Sequence, residues 1–244
     1  MSDKKATLTI DGVRTDASSD MTIMQAADGI GIHIPRLCYH PELSILGACR
    51  VCIVEVEGAR KPVASCAFPA GDGMVVTTNS PSLRQMRRDI VELILDNHPM
   101  ECQTCERNTN CELQRLAFEL GVRERLYEGE RKRFEKDTSS AAVIRDAEKC
   151  ILCGRCVRIC EDVQGASALG FFRRGFDAQM KPALCRPLAM TDCESCGQCV
   201  EACPTEAITM THLFEMSVTD REDAIYTKTE LLVDPDGTVP HPQP

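Results

Sequence analysis

The chain has 244 residues, with 28 Lys and Arg residues against 37 Asp and Glu residues, a net charge of −9 and 16 cysteines. A chain of this length can bury a hydrophobic core without covalent staples, so the cysteine content needs another explanation. The acidic balance, the absence of Trp and the few aromatic residues argue against a nucleic-acid binder that uses positive charge and base stacking.

The N-terminal sequence MSDKKATLTI lacks the apolar stretch and cleavage site of an export signal. No segment reaches the roughly 18 consecutive apolar residues of a membrane-spanning helix. The sequence therefore predicts a cytoplasmic protein with no direct membrane insertion. In that reducing compartment many thiols more often bind metal than form disulfides.

Residues 1–78 are predicted to form an α+β module. Apolar and polar residues alternate around Asp11-Gly12, which predicts a β-hairpin. A helix is predicted from Thr22 to Gly29, with Gly29 or Gly31 as its stop, and strands are predicted at 51–57 and 74–77. The cysteines of this module are Cys38, Cys49, Cys52 and Cys66.

Residues 79–120 are predicted to form a second module. Asn79 or Ser80 can cap an amphipathic helix that starts at Pro81 and ends at His98-Pro99, and another helix is predicted from about Glu112. Between the helices lie Cys102, Cys105 and Cys111. Charges of both signs dominate residues 121–140, which predicts a solvated helix or linker that connects modules.

The third predicted module, residues 141–212, contains an internal repeat. Residues 150–160 and 193–203 both read C-x-x-C-G-x-C-V-x-x-C. This is the ligand spacing of bacterial ferredoxin-type [4Fe–4S] proteins, in which the fourth cysteine of each run binds the other cluster. The predicted ligand sets are Cys150, Cys153, Cys156 and Cys203 for one cluster and Cys160, Cys193, Cys196 and Cys199 for the other.

Two details of the repeat carry further predictions. Gly154 and Gly197 allow the backbone to approach a cluster closely. The second run ends in Cys203-Pro204, whereas the first has Glu161 at the proline position, and we expect this departure to change chain direction more than ligation. Structural zinc is the alternative metal, but two zinc ions need only pairs of C-x-x-C, so the third and fourth cysteines of each run would be surplus.

The cysteine spacings of the first two modules are less specific for one kind of metal site. Cys38, Cys49, Cys52 and Cys66 read C-x10-C-x2-C-x13-C, which suits a [2Fe–2S] cluster with a long first gap, and zinc stays open as an alternative. The middle group has three cysteines only. His98 gives H-x3-C-x2-C-x5-C, and imidazole can replace thiolate on iron, although a histidine at a helix end is often only a surface or capping residue.

Five further residues, one cysteine and four arginines, are expected to have structural or surface positions. Cys185 lies out of register with both repeats, and we expect a buried thiol that binds no metal. Four arginines can tune a reduction potential or contact a partner, but we expect solvated surface positions for them. These arginines are Arg155, Arg158, Arg173 and Arg174.

The order of these spacings, and the stretches GACRVCIVEVEG, HPMECQTCERNTNCELQ and CILCGRCVRICEDVQG, resemble a known family over residues 6 to about 210. The chain is similar to the N-terminal iron–sulfur region of [FeFe]-hydrogenases and to the large iron–sulfur subunit of respiratory complex I. It most resembles the small diaphorase subunit of cytoplasmic NAD-reducing hydrogenases.

The resemblance implies an α+β chain with three domains. These are a β-grasp [2Fe–2S] ferredoxin domain, a small helical [4Fe–4S] domain and a two-cluster ferredoxin-like domain, holding one [2Fe–2S] and three [4Fe–4S] clusters in all. It makes His98, with Cys102, Cys105 and Cys111, a ligand of the helical domain's cluster. The tail, residues 213–244, resembles the C-terminal segment of the two-cluster ferredoxin-like subunit of complex I and is predicted to dock on a neighbouring subunit.

No G-x-G-x-x-G or G-x-x-x-x-G-K-[ST] motif offers a nucleotide or flavin site, so we expect reacting cofactors on partner subunits. The sequence predicts an electron relay between a flavin- and NAD(P)H-binding diaphorase subunit and a hydrogenase or formate dehydrogenase catalytic subunit. Alternatives are a relay in an electron-bifurcating complex that also uses soluble ferredoxin, a structural zinc scaffold and a freely diffusing polyferredoxin.

Overall fold

The computed structural model describes residues 5–18, 20–124, 127, 129–131, 133–211, 219–221 and 225. The chain divides into two compact units, Met1–Arg131 and Lys132–Pro244, and each is described by itself. We call them unit 1 and unit 2. Within the described residues, no helix is both long enough and apolar enough to cross a bilayer. Most of the predicted docking tail lies outside the described residues.

Unit 1 opens with the predicted hairpin, which the structure confirms. Strands β1 (Lys5–Ile10) and β2 (Val13–Ser18) pair antiparallel, and Ile10 lies opposite Val13. Asp11 and Gly12 form the turn, with φ of 47° and 83°. A two-residue turn of this kind needs positive φ at both positions, which is why Asp-Gly predicts it.

Helix α1 (Ile23–Gly29) follows and ends at one of the two predicted glycines. The Thr22 side chain accepts from the Gln25 N–H, and the Gln25 side chain accepts from the Thr22 N–H. This reciprocal capping box satisfies two backbone donors that the first helical turn leaves open.

Three further strands complete a five-stranded sheet. These are β3 (Ile53–Val56), β4 (Val63–Ala64) and β5 (Val75–Thr77), in the order β2-β1-β5-β3-β4. The central pair β1 and β5 is parallel, and β3 is antiparallel to both its neighbours. The predictions at 51–57 and 74–77 are confirmed by β3 and β5. The sequence reading missed β4, which has only two residues.

The core of unit 1 lies between α1 and the sheet. It includes Leu8 and Ile10 of β1, Ile23 and Met24 of α1 and Val54 of β3, all almost completely buried. Two cysteines, Cys52 and Cys66, belong to the same buried cluster. Most of the buried residues of this core are apolar side chains other than cysteine. Burial of apolar surface is the main stabilising contribution to folding, so this core can form without a metal on the thiols.

Two more helices belong to unit 1. Helix α2 (Pro81–Asn97) begins after Ser80, whose side chain accepts from the Leu83 N–H at 3.1 Å, and ends before His98. Helix α3 (Glu112–Glu119) packs against α2. Both starts and the end of α2 agree with the sequence prediction. In the described part of residues 121–140 the backbone forms no helix, which favours the linker interpretation.

Unit 2 is built from short elements. Strand β6 pairs antiparallel with β9, and β7 pairs antiparallel with β8. Helices α4 and α5 have four residues each, and α4 continues directly into a wider π-helical turn. In chain order the elements are β6 (Val143–Arg145), α4 (Arg155–Arg158), the π turn (Ile159–Val163), β7 (Leu169–Phe172), β8 (Gln179–Pro182), α5 (Gln198–Glu201) and β9 (Ile208–Met210).

The buried cluster of unit 2 combines strand residues with cysteines. Val143, Leu169, Met180 and Ile208 pack with Cys156, and three partly buried cysteines lie against them. The predicted ligand residues are therefore part of the core of this unit.

Candidate metal centres

Strand pairing brings Cys52 and Cys66 of unit 1 together. Ile53 of β3 lies opposite Ala64 of β4, so the residue before β3 meets the residues after β4. The N–H and the hydroxyl of Ser65 both donate to the carbonyl of Cys52, at 3.1 and 2.7 Å. These bonds hold the segment that carries Cys66 against the segment that carries Cys52.

Hydrogen bonds link four thiols in the order Cys49, Cys38, Cys66 and Cys52, and we call these four residues the N-terminal thiol cluster. Hydrogen bonds from the thiols of Cys49 and Cys66 lower the pKa of Cys38, and a hydrogen bond from Cys66 lowers the pKa of Cys52 to about 6. The donors, Cys49 and Cys66, have raised pKa values for the same reason. The arrangement favours thiolate at two of the four sulfurs and is suited to binding iron.

Arg87 of α2 fixes the chain beside this cluster, a role that sequence reasoning missed. Its side chain is 3% exposed, and it donates to the carbonyls of Val51, Ile53 and Thr78 at 3.1, 2.6 and 2.8 Å. Burial lowers its pKa, while the nearby Cys52 and Asp11 oppose that shift. In the sequence Arg87 is one of several polar residues of α2, and nothing distinguishes it from its exposed neighbours.

The middle group lies between α2 and α3. Cys102 opens a single 3₁₀ turn (Cys102–Thr104), Cys105 follows that turn, and Cys111 caps α3 by accepting from the Gln114 N–H at 3.5 Å. Burial raises the pKa of Cys111, and Cys102 is close enough to contribute. The structure thus brings Cys102 and Cys111 near each other.

His98 lies directly after α2. Its N–H donates to the Leu95 carbonyl at 3.1 Å, and its own carbonyl accepts from Arg131 Nη2 at 3.0 Å. These bonds fix the backbone of His98 at the end of the helix. They do not by themselves bring its ring to the three thiols, so His98 as a ligand stays a prediction.

In unit 2 two cavities each contain four cysteines in their lining. One is lined by Cys150, Cys153, Cys156 and Cys203, and we call it site A. The other is lined by Cys160, Cys193, Cys196 and Cys199, and we call it site B. Each site takes three cysteines from one copy of the repeat and one from the other, the same crossed sets that the spacing predicts.

The same backbone conformation recurs on both copies. Leu152 and Ser195 have φ of 55° and 54°, and Gly154 and Gly197 have φ of 68° and 77°. In each copy the cysteine between these two left-handed residues does not have a positive φ. A backbone that alternates in this way turns successive N–H groups inward and forms a concave site for an anionic group. Consistent with this, the Leu152 N–H donates to Cys150 Sγ at 3.4 Å.

The donor set fits iron–sulfur clusters. Burial raises the pKa of Cys153 to about 12 and of Cys199 to about 11, because an isolated thiolate is poorly solvated there, and bound iron would supply the missing positive charge. Among the described residues, no three His, Cys, Asp or Glu side chains converge as the ligands of a single ion do. The thiolates of a cluster bind different irons and are spread around a larger group.

Polar contacts tie the two ends of site A together. Lys149 precedes the first cysteine of the repeat, and Glu206 follows the last one. Lys149 Nζ lies 3.2 Å from Glu206 Oε2, and the Thr205 hydroxyl donates to the Lys149 carbonyl at 2.8 Å. These bonds keep Cys150 and Cys203, which are distant in sequence, on one site.

The two copies differ where the proline is missing. Helix α4 runs on through a π turn that contains Cys160 and Glu161, whereas α5 ends at Glu201, before Cys203-Pro204. Proline lacks an N–H and cannot continue a helix, which explains the difference in chain direction. Cys160 still reaches site B, and its sulfur accepts from the Ala168 N–H at 3.3 Å.

Two sequence-based expectations are wrong. Cys185 is exposed, because it lies in an irregular turn in which Leu184 and Cys185 both have positive φ. Arg155 and Arg158 are buried, since α4 turns them into unit 2, although Arg173 and Arg174 are exposed as expected. None of the sixteen cysteines, all within the described residues, forms a disulfide.

Three family models match successive parts of the chain. A 2Fe-2S iron–sulfur cluster binding domain matches residues 3–81, and the iron–sulfur binding region of NADH-ubiquinone oxidoreductase G matches residues 87–125. The ferredoxin-like domain of NADH-quinone oxidoreductase subunit 3 matches residues 140–209. The matches and the cysteine-lined sites together define an iron–sulfur protein with [2Fe–2S] and [4Fe–4S] domains of mixed α+β structure.

Named relatives narrow the class. The chain is 43% identical to the NADP-reducing hydrogenase subunit HndD of Solidesulfovibrio fructosivorans, over 96% of this chain and 39% of the relative. It is 41% identical to the mitochondrial NADH-ubiquinone oxidoreductase 78 kDa subunit of Neurospora crassa, over 83% of this chain and 27% of the relative. The chain thus spans less than two fifths of the length of these curated relatives.

A solved structure matches over most of both chains. It is a chain from the crystal structure of an NAD+-reducing [NiFe]-hydrogenase in the H2-reduced state, with 31% identity and a TM-score of 0.80, covering 85% of this chain and 88% of that one. The chain therefore belongs to the family of iron–sulfur subunits of the NAD-reducing hydrogenase type, which is related to the 78 kDa subunit of NADH-ubiquinone oxidoreductase.

Proposed function

We propose that the chain is a non-catalytic electron relay in a multisubunit NAD(P)-linked oxidoreductase. It passes electrons between a flavin- and NAD(P)H-binding subunit and a hydrogenase or formate dehydrogenase catalytic subunit. The names of the relatives support a hydrogenase partner and a link to NAD(P), since they include NADP-reducing and NAD+-reducing hydrogenases. We place the chain in the cytoplasm, a reducing compartment in which many thiols more often bind metal than form disulfides.

The proposal includes one [2Fe–2S] and three [4Fe–4S] clusters in three domains. Residues 1–78 form a β-grasp domain around the N-terminal thiol cluster, in keeping with the mixed five-stranded sheet and α1. Residues 79–120 hold a [4Fe–4S] cluster on His98, Cys102, Cys105 and Cys111. Residues 141–212 hold two at sites A and B, and residues 121–140 and 213–244 act as connector and docking tail.

The observation that carries the proposal is the composition of sites A and B. Each cavity contains four cysteines in its lining, three from one repeat copy and one from the other. Clusters of this kind supply one-electron transfer when bound. The chain's own residues hold the sulfurs in place, and backbone N–H groups such as those of Leu152 and Ala168 donate to them.

An iron count with a ligand variant and a matched control tests this proposal. Anaerobically prepared protein should contain about 14 irons, two from the [2Fe–2S] cluster and four from each [4Fe–4S] cluster, with both types of EPR signal after reduction. Cys203→Ala removes a proposed ligand of site A and should lower the count by up to about four irons. Cys185→Ala removes a cysteine that lines neither site and should leave the count unchanged.

Three results would contradict the proposal. Zinc in place of iron, with no absorbance change on reduction by dithionite, would favour the structural scaffold. Equal iron loss in both cysteine variants would refute the assignment of Cys203 to site A. A stable monomer that co-purifies with no flavoprotein from its native host would refute the relay between subunits.

A further inference from the structure

The two copies of the repeat carry different charges at equivalent positions. The residue after the shared glycine is Arg155 in the first copy and Gln198 in the second. Three positions further on, the first copy has Arg158 and the second has Glu201. The cysteines are in identical register, so the two cations of the first copy correspond to a neutral and an acidic residue in the second copy.

Both arginines are buried beside Cys153, a residue that lines site A. Each is 6% exposed. Arg158 donates to the carbonyls of Gly154 and Cys153, at 3.2 Å from Nε and 3.4 Å from Nη2. The backbone N–H of Arg155 bonds to the Cys153 sulfur, and the positive charge of Arg155 acts on that sulfur. In contrast, Gln198 is half-buried and Glu201 is exposed.

The two sites also differ in their access to water. At site A the side chains of Cys153, Cys156 and Cys203 are only 8%, 7% and 7% exposed. At site B Cys196 is exposed and the other three cysteines are half-buried. Cys150 of site A is half-buried as well, so the contrast lies in the other three cysteines, and site B is the more open of the two to water. Site B also has one buried arginine in its lining, Arg145, which pairs with Asp137 at 2.7 Å.

A buried ionic group is costly unless opposite charge and hydrogen bonds accompany it. A cluster ligated by four thiolates is negatively charged, and its reduction adds a further negative charge. We propose that Arg155 and Arg158 are the counter-charges of the cluster at site A and raise its reduction potential. This inference rests on the proposed binding of clusters at the two sites.

Burial and charge act in opposite directions on the potential of site A. Burial disfavours the reduced cluster, because it removes water from an additional negative charge, and the guanidinium groups favour the reduced cluster. The order of the two potentials in the natural protein therefore does not isolate the arginines. The change in each potential after a substitution does.

The test is an anaerobic redox titration of the full iron-loaded chain, followed by EPR. Arg155→Gln and Arg158→Gln should each lower the equilibrium constant for reduction at site A about tenfold, which is about 59 mV for one electron. The equilibrium constant for reduction at site B should change by less than about threefold. Cys196→Ser, which alters a ligand of site B alone, assigns the two signals.

The second copy provides the matched control. Gln198→Arg puts a cation at the position equivalent to Arg155 and should raise the equilibrium constant at site B, with site A unchanged. Because Gln198 is half-buried and water screens it, the expected rise is smaller, about threefold. Arg155→Lys keeps the charge and should keep the potential of site A within about threefold.

The outcomes separate this inference from the proposed function. Variants with full iron and an unchanged potential at site A would overturn the inference and leave the relay intact. A natural chain without iron at site A would instead refute the proposed function. If Arg155→Gln fails to bind iron at site A, the potentials of the Gln198→Arg and Arg155→Lys variants still test the inference. It would be overturned if Gln198→Arg left the potential of site B unchanged and Arg155→Lys shifted the potential of site A strongly.

Discussion

In unit 1 paired strands of a five-stranded sheet position two thiols of the N-terminal thiol cluster, whereas in unit 2 loops with left-handed residues position the cysteines of sites A and B. Cys52 and Cys66 flank the paired strands β3 and β4 and lie in a core that also contains the apolar residues of β1 and α1. In unit 2, by contrast, Cys156 belongs to a smaller buried cluster, and three partly buried cysteines, Cys150, Cys193 and Cys199, pack against it. The N-terminal thiol cluster is held by a fold with its own core, while sites A and B help to form theirs.

The helix starts differ in the same way. In unit 1 the side chains of Thr22, Ser80 and Cys111 cap α1, α2 and α3. In unit 2 the left-handed Gly154 and Gly197 precede α4 and α5, and no side chain caps either helix. Unit 1 satisfies its first-turn N–H groups internally, and we infer that unit 2 gains its order from what its loops enclose.

Iron removal should have the largest effect, and it should affect the two units to different extents. Because metal binding is coupled to folding where ligands form the core, anaerobic chelation is expected to lower hydrogen-exchange protection in β6–β9 by roughly 100-fold or more. Protection in β1 and β2 should change by less than about tenfold. Equal losses in the two units would show that the N-terminal sheet also depends on iron.

Local chemistry explains which parts of this comparison were predictable from the sequence. Asp11-Gly12 determines the hairpin, because both turn positions need positive φ, and Ser80, Pro81 and His98-Pro99 determine the bounds of α2. The cysteine spacing predicts the crossed sets that line sites A and B, since x2 spacing turns three thiols to one point and x3 turns the fourth away.

Features that depend on distant segments were not predictable. Arg87 binds carbonyls 34 and 36 positions earlier in the chain, which no helical pattern reveals. The burial of Arg155 and Arg158 depends on how α4 packs in unit 2, and the exposure of Cys185 depends on an irregular turn. Charge and spacing give residue types and local register, but not which side of the helix the rest of the chain covers.

Arg87→Met should have the second-largest effect and should weaken the sheet-based site. The variant leaves the carbonyls of Val51, Ile53 and Thr78 without their buried donor, and each lost partner costs about 1 kcal/mol or more, so unit 1 should lose about 3 kcal/mol. Hydrogen exchange of the β1 amides measures the free energy of unfolding.

Arg84→Met is the matched control for this variant. Arg84 lies one turn earlier on α2 and is exposed, and its side chain donates to the side chain of Asn79 at 3.0 Å. Its replacement should change the free energy of unfolding by less than about 0.5 kcal/mol. If the two methionine variants are equally stable, Arg87 does not hold the Cys52 segment in place.

Gly197→Ala tests the loop-based sites with a smaller effect. Gly197 has φ of 77°, a conformation that costs an L-residue about 1–2 kcal/mol, and the added methyl group would be 3.5 Å from Met210 Sδ, an ordinary contact. The expected destabilisation of unit 2 is therefore about 1–2 kcal/mol, measured by hydrogen exchange in β9 of the iron-loaded protein.

Ser195→Gly is the reciprocal change on the same loop. Ser195 has φ of 54°, so glycine removes strain there at the cost of some chain entropy, and stability should stay level or rise by up to about 1 kcal/mol. Opposite signs for the two variants support control by left-handed geometry. A loss of stability in Ser195→Gly as large as that in Gly197→Ala would point to side-chain contacts instead.

Ser80→Ala should have a small effect, confined to unit 1. The serine side chain accepts from the Leu83 N–H and donates to Glu55 on β3, at 3.1 Å in both cases, so it joins the start of α2 to the sheet. Loss of an N-cap of this kind costs about 1 kcal/mol. Ser80→Asp keeps an acceptor for the helix but places a second carboxylate beside Glu55. If only the cap matters, the aspartate variant should retain the natural stability in hydrogen exchange of α2. If the bond to the sheet matters as much, both variants should lose protection in α2 and β3 together, which would make the helix and the sheet a single cooperative support for the N-terminal thiol cluster.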